Sequence, residues 1–418
     1  MDWTADSGSH GGPASGAAAA PVPDRAPPAV ADWESLLWRN NALQILSNGA
    51  WYVAIPFIPL YLAAQGASIG VIGTIIGFSG VAPLLISLHA GALVDERGPA
   101  VVAKVSVFLF ALAGVILTAL PAVWATGVAY TLMGVANISF AVAPQAVVAA
   151  ASTPATRVRN FGYYALWNSA GAAVGPVVAG IIAGRFGYRT SFALVWLLMI
   201  PSFVFAGSLG ESPAARRRAV ALTKVHRVMG TILRQRGIAA LMFISFVVAC
   251  GQTLQQSFYP LYLHKVGLSP ALIGIAVAMI SVSSMAVRSL LSRGVERFGY
   301  SWLLLGALAL AAVSFGITPL LRRFWPLIVA STLMGASTGF TQPVTMSLLA
   351  ESVAAEFWGV AFGIRQGMQR VAAILSPIAF GLVTTASGVE SAFLVGAAAL
   401  LGAVLILASP SAHLGPPT

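Results

Sequence analysis

Along most of the chain, polar residues stand singly inside long apolar stretches, and short polar breaks separate the stretches. Twelve stretches approach the roughly 20 residues that a helix needs to cross the apolar core of a bilayer. They are 42–64, 70–93, 101–120, 123–149, 162–184, 190–209, 238–263, 269–291, 301–320, 325–349, 358–383 and 389–409. None carries the broad polar face of a helix on the surface of a soluble protein. The pattern predicts an all-α polytopic membrane protein with twelve transmembrane helices. Residues 1–40 differ: Gly11, Gly12, Pro13, an alanine run, then Pro21, Pro23, Pro27 and Pro28. Such a composition predicts a disordered tail, and 410–418 reads as a second, short tail.

The stretches repeat. Adding 201 to a residue number carries the first half onto the second. Pro59-Leu60-Tyr61-Leu62 becomes Pro260-Leu261-Tyr262-Leu263, and Gly66 becomes Gly267. Ile72-Gly73 matches Ile273-Gly274, Asp95 matches Glu296, and Gly98 matches Gly299. Leu132-Met133-Gly134 matches Leu333-Met334-Gly335, and Phe161-Gly162 matches Phe362-Gly363. Pro176, Gly180, Gly187 and Phe192 match Pro377, Gly381, Gly388 and Phe393. The halves are 41–209 and 238–409, joined by a basic linker at 210–237. Six spans per half is an even number, so both halves enter the membrane the same way. That predicts a pseudo-two-fold axis along the membrane normal and a crevice between parallel six-helix repeats.

Composition decides the solvent. Only 8% of residues are charged against 58% hydrophobic, where a soluble domain carries about 25% charged. Lipid, rather than water, must cover most of this surface. The net charge of +11 would suggest nucleic acid in a soluble protein, but its placement argues otherwise. With the N-terminus inside, one face carries Arg39, Arg97, Lys104, Arg157, Arg159, Arg216, Arg217, Arg218, Lys224, Arg227, Arg234, Arg236, Arg293 and Arg297. The other carries Arg185, Arg189, Lys265, Arg322 and Arg323. Basic loops stay in the cytoplasm, so both termini are expected there. The partners expected are membrane lipids and a small solute, with no nucleic acid, for a monomer in a cell inner or plasma membrane of bacterial type. Cys250 is the single cysteine, which leaves no disulfide framework or cysteine metal site. There is no nucleophile–base set, metal-ligand cluster or phosphate loop, so no enzyme, metal, cofactor or direct use of ATP is expected.

Three motifs resemble those of the major facilitator superfamily, over residues from about 40 to 410. Gly91-Ala92-Leu93-Val94-Asp95-Glu96-Arg97-Gly98 looks like its G-x-x-x-D-R/K-x-G signature, with a weaker copy at Ser292, Glu296, Arg297 and Gly299. Gly171, Gly175, Pro176 and Gly180 are similar to the Gly-Pro signature of its drug-efflux antiporters. Gly187-Tyr188-Arg189 with Phe192 resembles its G-W/Y-R-x-x-F pattern. The resemblance implies a secondary transporter working by alternating access, of the multidrug-efflux and antibiotic-resistance branch, with protons as the coupling ion. It implies gating or coupling roles for His89, Gly91, Asp95, Arg97, Gly98, Gly171, Gly175, Pro176 and Glu296. One departure concerns coupling. Efflux members often carry an arginine four residues before the span-four glycine, and here that position is Tyr130.

Polar residues inside a membrane are costly and usually face a cavity or a partner helix. Gln44, Asn48 and Tyr52 recur at four-residue spacing and share one face of span one. Gln252 and Gln256 do the same in span seven. With Asn137, Asn168, Gln342, Arg365, Gln369 and Arg370, the members Asn48, Tyr52, Gln252 and Gln256 form the candidate substrate-binding set. Arg365 and Arg370 stand about 140° apart around span eleven at 100° per residue, so only one of them is expected to face the crevice squarely. Trp51, Tyr52, Phe57, Trp167 and Phe258 are candidate aromatic lining. Trp124, Trp302 and Trp325 are expected as interfacial anchors. The leading expectation is an exporter of small amphipathic compounds. The alternative is a carrier of sugars, organic acids or anionic metabolites, suggested by the two arginines.

Overall fold

The computed structural model describes residues 30–153, 156–209, 236–353 and 358–408. Helices make up the described architecture, with no strand among those residues. Span one is Val30–Ala54 followed by Ile58–Ala64, so helix extends back into the region whose composition predicts a tail. Pro56 and Pro59 stand at the break, where a missing N–H and the ring interrupt the helix. Its repeat equivalent, span seven, is Arg236–Thr253, a π-helical turn at Leu254–Phe258, and Tyr259–Lys265. Span two is Ile69–Phe78 and Val81–Arg97. Spans three to six are Pro99–Ala119, Val123–Ala150, Arg157–Phe186 and Tyr188–Gly207. Spans eight to twelve are Pro270–Arg288, Leu291–Ile317, Phe324–Ser352, Trp358–Ser387 and Val389–Ala408.

The duplication is visible in the backbone. The described glycines with positive φ are Gly66, Gly98, Gly187, Gly267, Gly299 and Gly388, at +73° to +88°. They form three pairs, each 201 residues apart. Each turns the chain in a backbone conformation that L residues rarely adopt, and Gly299 does so inside the run Leu291–Ile317, which kinks there. The conformation at Gly98 explains why span two continues to Arg97 instead of ending near 93. Nothing breaks the helix until the glycine turn, and Pro99 then starts span three. Packing repeats as well. Tyr61 meets Phe192 edge-on with ring centroids 5.3 Å apart, and Tyr262 meets Phe393 at 5.4 Å.

Eleven of the described helices are long and apolar enough to cross a membrane. Span ten is equally long, at 29 residues, but richer in hydroxyls, including the buried Ser331, Ser337, Thr341 and Thr345. Most of its hydroxyls satisfy themselves on carbonyls one turn back: Thr332 on Ile328 at 2.9 Å, Ser337 on Met334 at 2.7 Å, Thr338 on Gly335 at 3.0 Å. That removes most of the cost of carrying polar groups at membrane depth. Large apolar side chains such as Phe78, Phe108, Val204 and Leu405 point outward, and Trp124, Trp302 and Trp325 are also exposed.

Within each half, span one packs on five and six, and span nine on ten and twelve. Between the halves, span five packs on eight and span two on eleven. Arg189 of the third motif donates from Nε to the carbonyl of Thr118 at 2.9 Å and from Nη2 to that of Ala119 at 3.2 Å. It therefore ties span six to the last carbonyls of span three.

Candidate substrate-binding cavity

Two cavities lie between the halves. The first, about 270 Å³, is walled by Asn48 and Tyr52 of span one, Asn168 of span five, Gln252 and Gln256 of span seven, and Gln342 of span ten. Six of the ten candidate binding residues are thus brought together. The second, about 310 Å³, takes Asn137 from span four and Gln369 and Arg370 from span eleven, with Gln252 and Gln256 again. Those two glutamines line both cavities, so the cavities meet at span seven, around its π-helical turn. Trp51 and Tyr130 form an aromatic wall of the second cavity. Their rings stack at 6.4 Å and 23°.

Span one is fixed against span five by a polar seam. Gln44 donates from Nε2 to Asn168 Oδ1 at 3.2 Å, and Asn48 donates from Nδ2 to the Asn168 carbonyl at 2.5 Å. Small residues make room for it. A β-carbon on Gly171 would stand 2.7 Å from the Ile45 carbonyl, and one on Gly175 would stand 2.8 Å from that of Gly49. Beside this seam is a smaller polar cavity of about 140 Å³, lined by Gln44, Asn137, Gln145 and Tyr164 among others. The Oε1 of Gln44 is buried there without a hydrogen-bond partner among the described residues.

The two arginines of span eleven part company, as their separation around the helix implies. Arg365 lines neither cavity between the halves. It is 4% exposed, and its Nε is unpartnered among the described residues. Arg370, on the other side of the helix, faces the second cavity. Phe57 and Phe258 are fully buried in the packed core rather than on a cavity wall, and Trp167 is on neither wall. The efflux-type glycines divide their work: Gly171 and Gly175 pack on span one of their own half, whereas Pro176 and Gly180 meet span eight. Arg97 and Glu296 are exposed at helix ends. The side chains of His89, Gly91 and Asp95 lie outside the described residues.

Sequence reasoning missed Arg288, Ser281 and Ser284, which line the first cavity from span eight. The signal was there: residues 281, 284 and 288 share one helical face. Arg288 and Arg370 are the charged residues on the described cavity walls, and no acidic side chain joins them there. The described residues also hold no cluster of metal-ligating side chains.

Two equivalent six-helix halves enclosing a crevice with isolated polar groups define a multi-pass membrane transporter of the major facilitator type. The chain belongs to the MFS_1 like family, whose profile matches residues 49–395. The multidrug resistance protein MdtG of Citrobacter koseri is 21% identical over 390 residues, covering 87% of this chain and 93% of that one. MdtG of Enterobacter lignolyticus is 20% identical over 369 residues, covering 85% and 87%. Among solved structures, the peptide transporter POT in complex with sulfate superposes with a TM-score of 0.76 at 15% identity, over 91% of this chain and 95% of that one. The nucleoside transporter NupG gives 0.71 at 14% identity, over 89% and 98%. The human organic anion transporter MFSD10 gives 0.62 at 15%, over 91% and 100%. These likenesses establish the shared fold and a transporter rather than an enzyme.

Proposed function

We propose that this protein is a secondary active exporter of small amphipathic compounds, working by alternating access and coupled to protons, with both termini in the cytoplasm. The observation that carries this reading is the crevice itself. It is lined by carboxamides and hydroxyls from both halves and by two stacked aromatic rings of the first half. Relatives named as multidrug resistance proteins, aligned along nearly the whole chain, favour export and a broad substrate range.

The end bearing Gly66 and Gly267 is closed. There, spans two and eleven and spans five and eight pack glycine against backbone, and the last turns of spans one and seven touch. Toward the other end, the cavity-lining Arg288 and Gln366 are exposed. With the basic loops in the cytoplasm, this arrangement is the inward-open state. Asn48, Tyr52, Asn137, Asn168, Gln252, Gln256, Gln342, Gln369 and Arg370 are then the substrate contacts. Asp95 and Glu296, near the cytoplasmic ends of their helices, and His89, about two turns further into span two, are the groups for proton coupling and gating.

Reconstituted vesicles with an imposed pH gradient test the proposal. Gradient-driven flux of several amphipathic compounds is expected, and a panel without any such flux would overturn it. The alternative carrier of sugars or organic acids draws on the same Arg370. It would run down a substrate gradient in either direction with no pH gradient present.

A further inference from the structure

We infer that the compounds this site takes are organic anions with a flat aromatic body, the anionic group on Arg370 and the ring against Trp51 and Tyr130. The inference rests on the transporter reading above and specifies its substrate class.

The first argument is electrostatic. The sequence holds twelve acidic residues, and every one stands in a tail, the linker, a loop or at a helix end. Asp2, Asp6 and Asp24 precede span one, Asp32 and Glu34 sit in its first turns, and Asp95 and Glu96 end span two. Glu211 is in the linker, Glu296 begins span nine, Glu351 ends span ten, Glu356 precedes span eleven and Glu390 begins span twelve. No acid is therefore placed by the chain at the depth of Arg370, which lies roughly 18 Å along its helix from Trp358 and 26 Å from Ser387. Among the described residues the ion pair formed is Lys265 with Glu390, at a helix end. Arg370 takes no part in a hydrogen bond or ion pair there. An arginine keeps its proton, so a cation stands at mid-depth on a cavity wall without a counter-charge among the described residues.

The second argument is the division of labour between the halves. Trp51 and Tyr130 come from spans one and four of the first half. Arg370 comes from span eleven of the second, with Gln366 and Gln369 beside it on the same wall. A buried donor, Nε2 of Gln369, is left without an acceptor among the described residues. A ligand with an anionic head and an aromatic body would satisfy both walls at once, and so would bind both halves that must move relative to each other. A lipophilic cation meets a guanidinium on this wall and a second, Arg288, in the adjoining cavity. A neutral polar solute would use the carboxamides and leave the charge uncompensated.

The test compares three probes of one shape on the full-length protein: 1-naphthoate, 1-naphthalenemethanol and 1-naphthylmethylammonium. Thermal shift reads binding and vesicle flux reads transport. The naphthoate is expected to bind at least tenfold more tightly than either isostere and to be moved across vesicles. Arg370→Gln should erase the preference for the anion, Arg370→Lys should keep part of it, and Trp51→Leu should weaken all three probes together. Equal or stronger binding of the neutral or cationic probe, no binding of any of the three, or an unchanged anion preference in a folded Arg370→Gln variant would each overturn the inference. The three-probe comparison on the unaltered protein decides the matter even where a variant fails to fold. Failure of the parent reading is distinct: it is the absence of gradient-driven flux for a wider panel, whatever the three probes do in thermal shift.

Discussion

Gly274 lies so close to the backbone carbonyl of Pro176 that a β-carbon would have no space between spans eight and five. The duplicated partners repeat the contact: Gly73 of span two stands in the same way against the carbonyl of Pro377 in span eleven. Pro176 and Pro377, like Gly73 and Gly274, are 201 residues apart. The two seams that close the Gly66 end are thus one contact made twice. Such close approach of backbones is how helices associate in lipid, where no hydrophobic drive separates helix from solvent.

Gly274→Ala should therefore bias the protein away from the state closed at this end. A carbonyl cannot rotate aside as a side chain can. Overpacking costs about 1–3 kcal/mol, which corresponds to a population shift of roughly 5- to 150-fold. A cysteine placed at Ser269 in a Cys250→Ala background should label faster with a membrane-impermeant thiol reagent, and transport should fall. Gly73→Ala should behave the same way. Unchanged labelling in both would contradict the seam.

Asn168→Ala should loosen span one from span five without unfolding the half. It removes the acceptor of the Gln44 bond but leaves the carbonyl that Asn48 uses. Side-chain hydrogen bonds between membrane helices average about 0.6 kcal/mol and reach about 1.7. A melting temperature lower by a few degrees in detergent is the expected reading, together with weaker substrate binding because Asn168 also lines the first cavity.

Replacing Arg189 should report on stability rather than transport. Its fork caps the last carbonyls of span three through Thr118 and Ala119, where a cation also suits the negative end of the helix. Arg189→Ala is expected to cost about 1 kcal/mol. Arg189→Lys should recover only part, since a single ammonium does not reproduce the planar fork. A thermal melt of the three proteins checks the order.

Glu390→Gln serves as the contrasting case. Lys265 Nζ meets both Glu390 oxygens at 2.7 Å, but the pair is solvent-exposed and joins two spans of the same half. Exposed pairs contribute about 0–1 kcal/mol. Flux should be unchanged, and any loss of melting temperature should shrink further in high salt.

Much of this architecture is a property of the amino-acid order alone. Lipid as solvent follows from twelve long stretches with so few charges, because helix formation within each stretch is the way to satisfy its backbone in a membrane. The duplication follows from pairs such as Gly66 with Gly267 and Pro-Leu-Tyr-Leu with its copy, since each turn or break needs the same residue type in both halves. Helical spacing also placed Asn48 and Tyr52 on one face. Tertiary packing decided the rest, because a helix presents all its faces until neighbours cover them. Only the arrangement of spans two, four, seven and eleven put Arg370 on a cavity wall and Arg365, five residues earlier, into the packed interior. Only the meeting of span five with span one on one side and span eight on the other gave Gly171 and Gly175 one partner and Pro176 and Gly180 another.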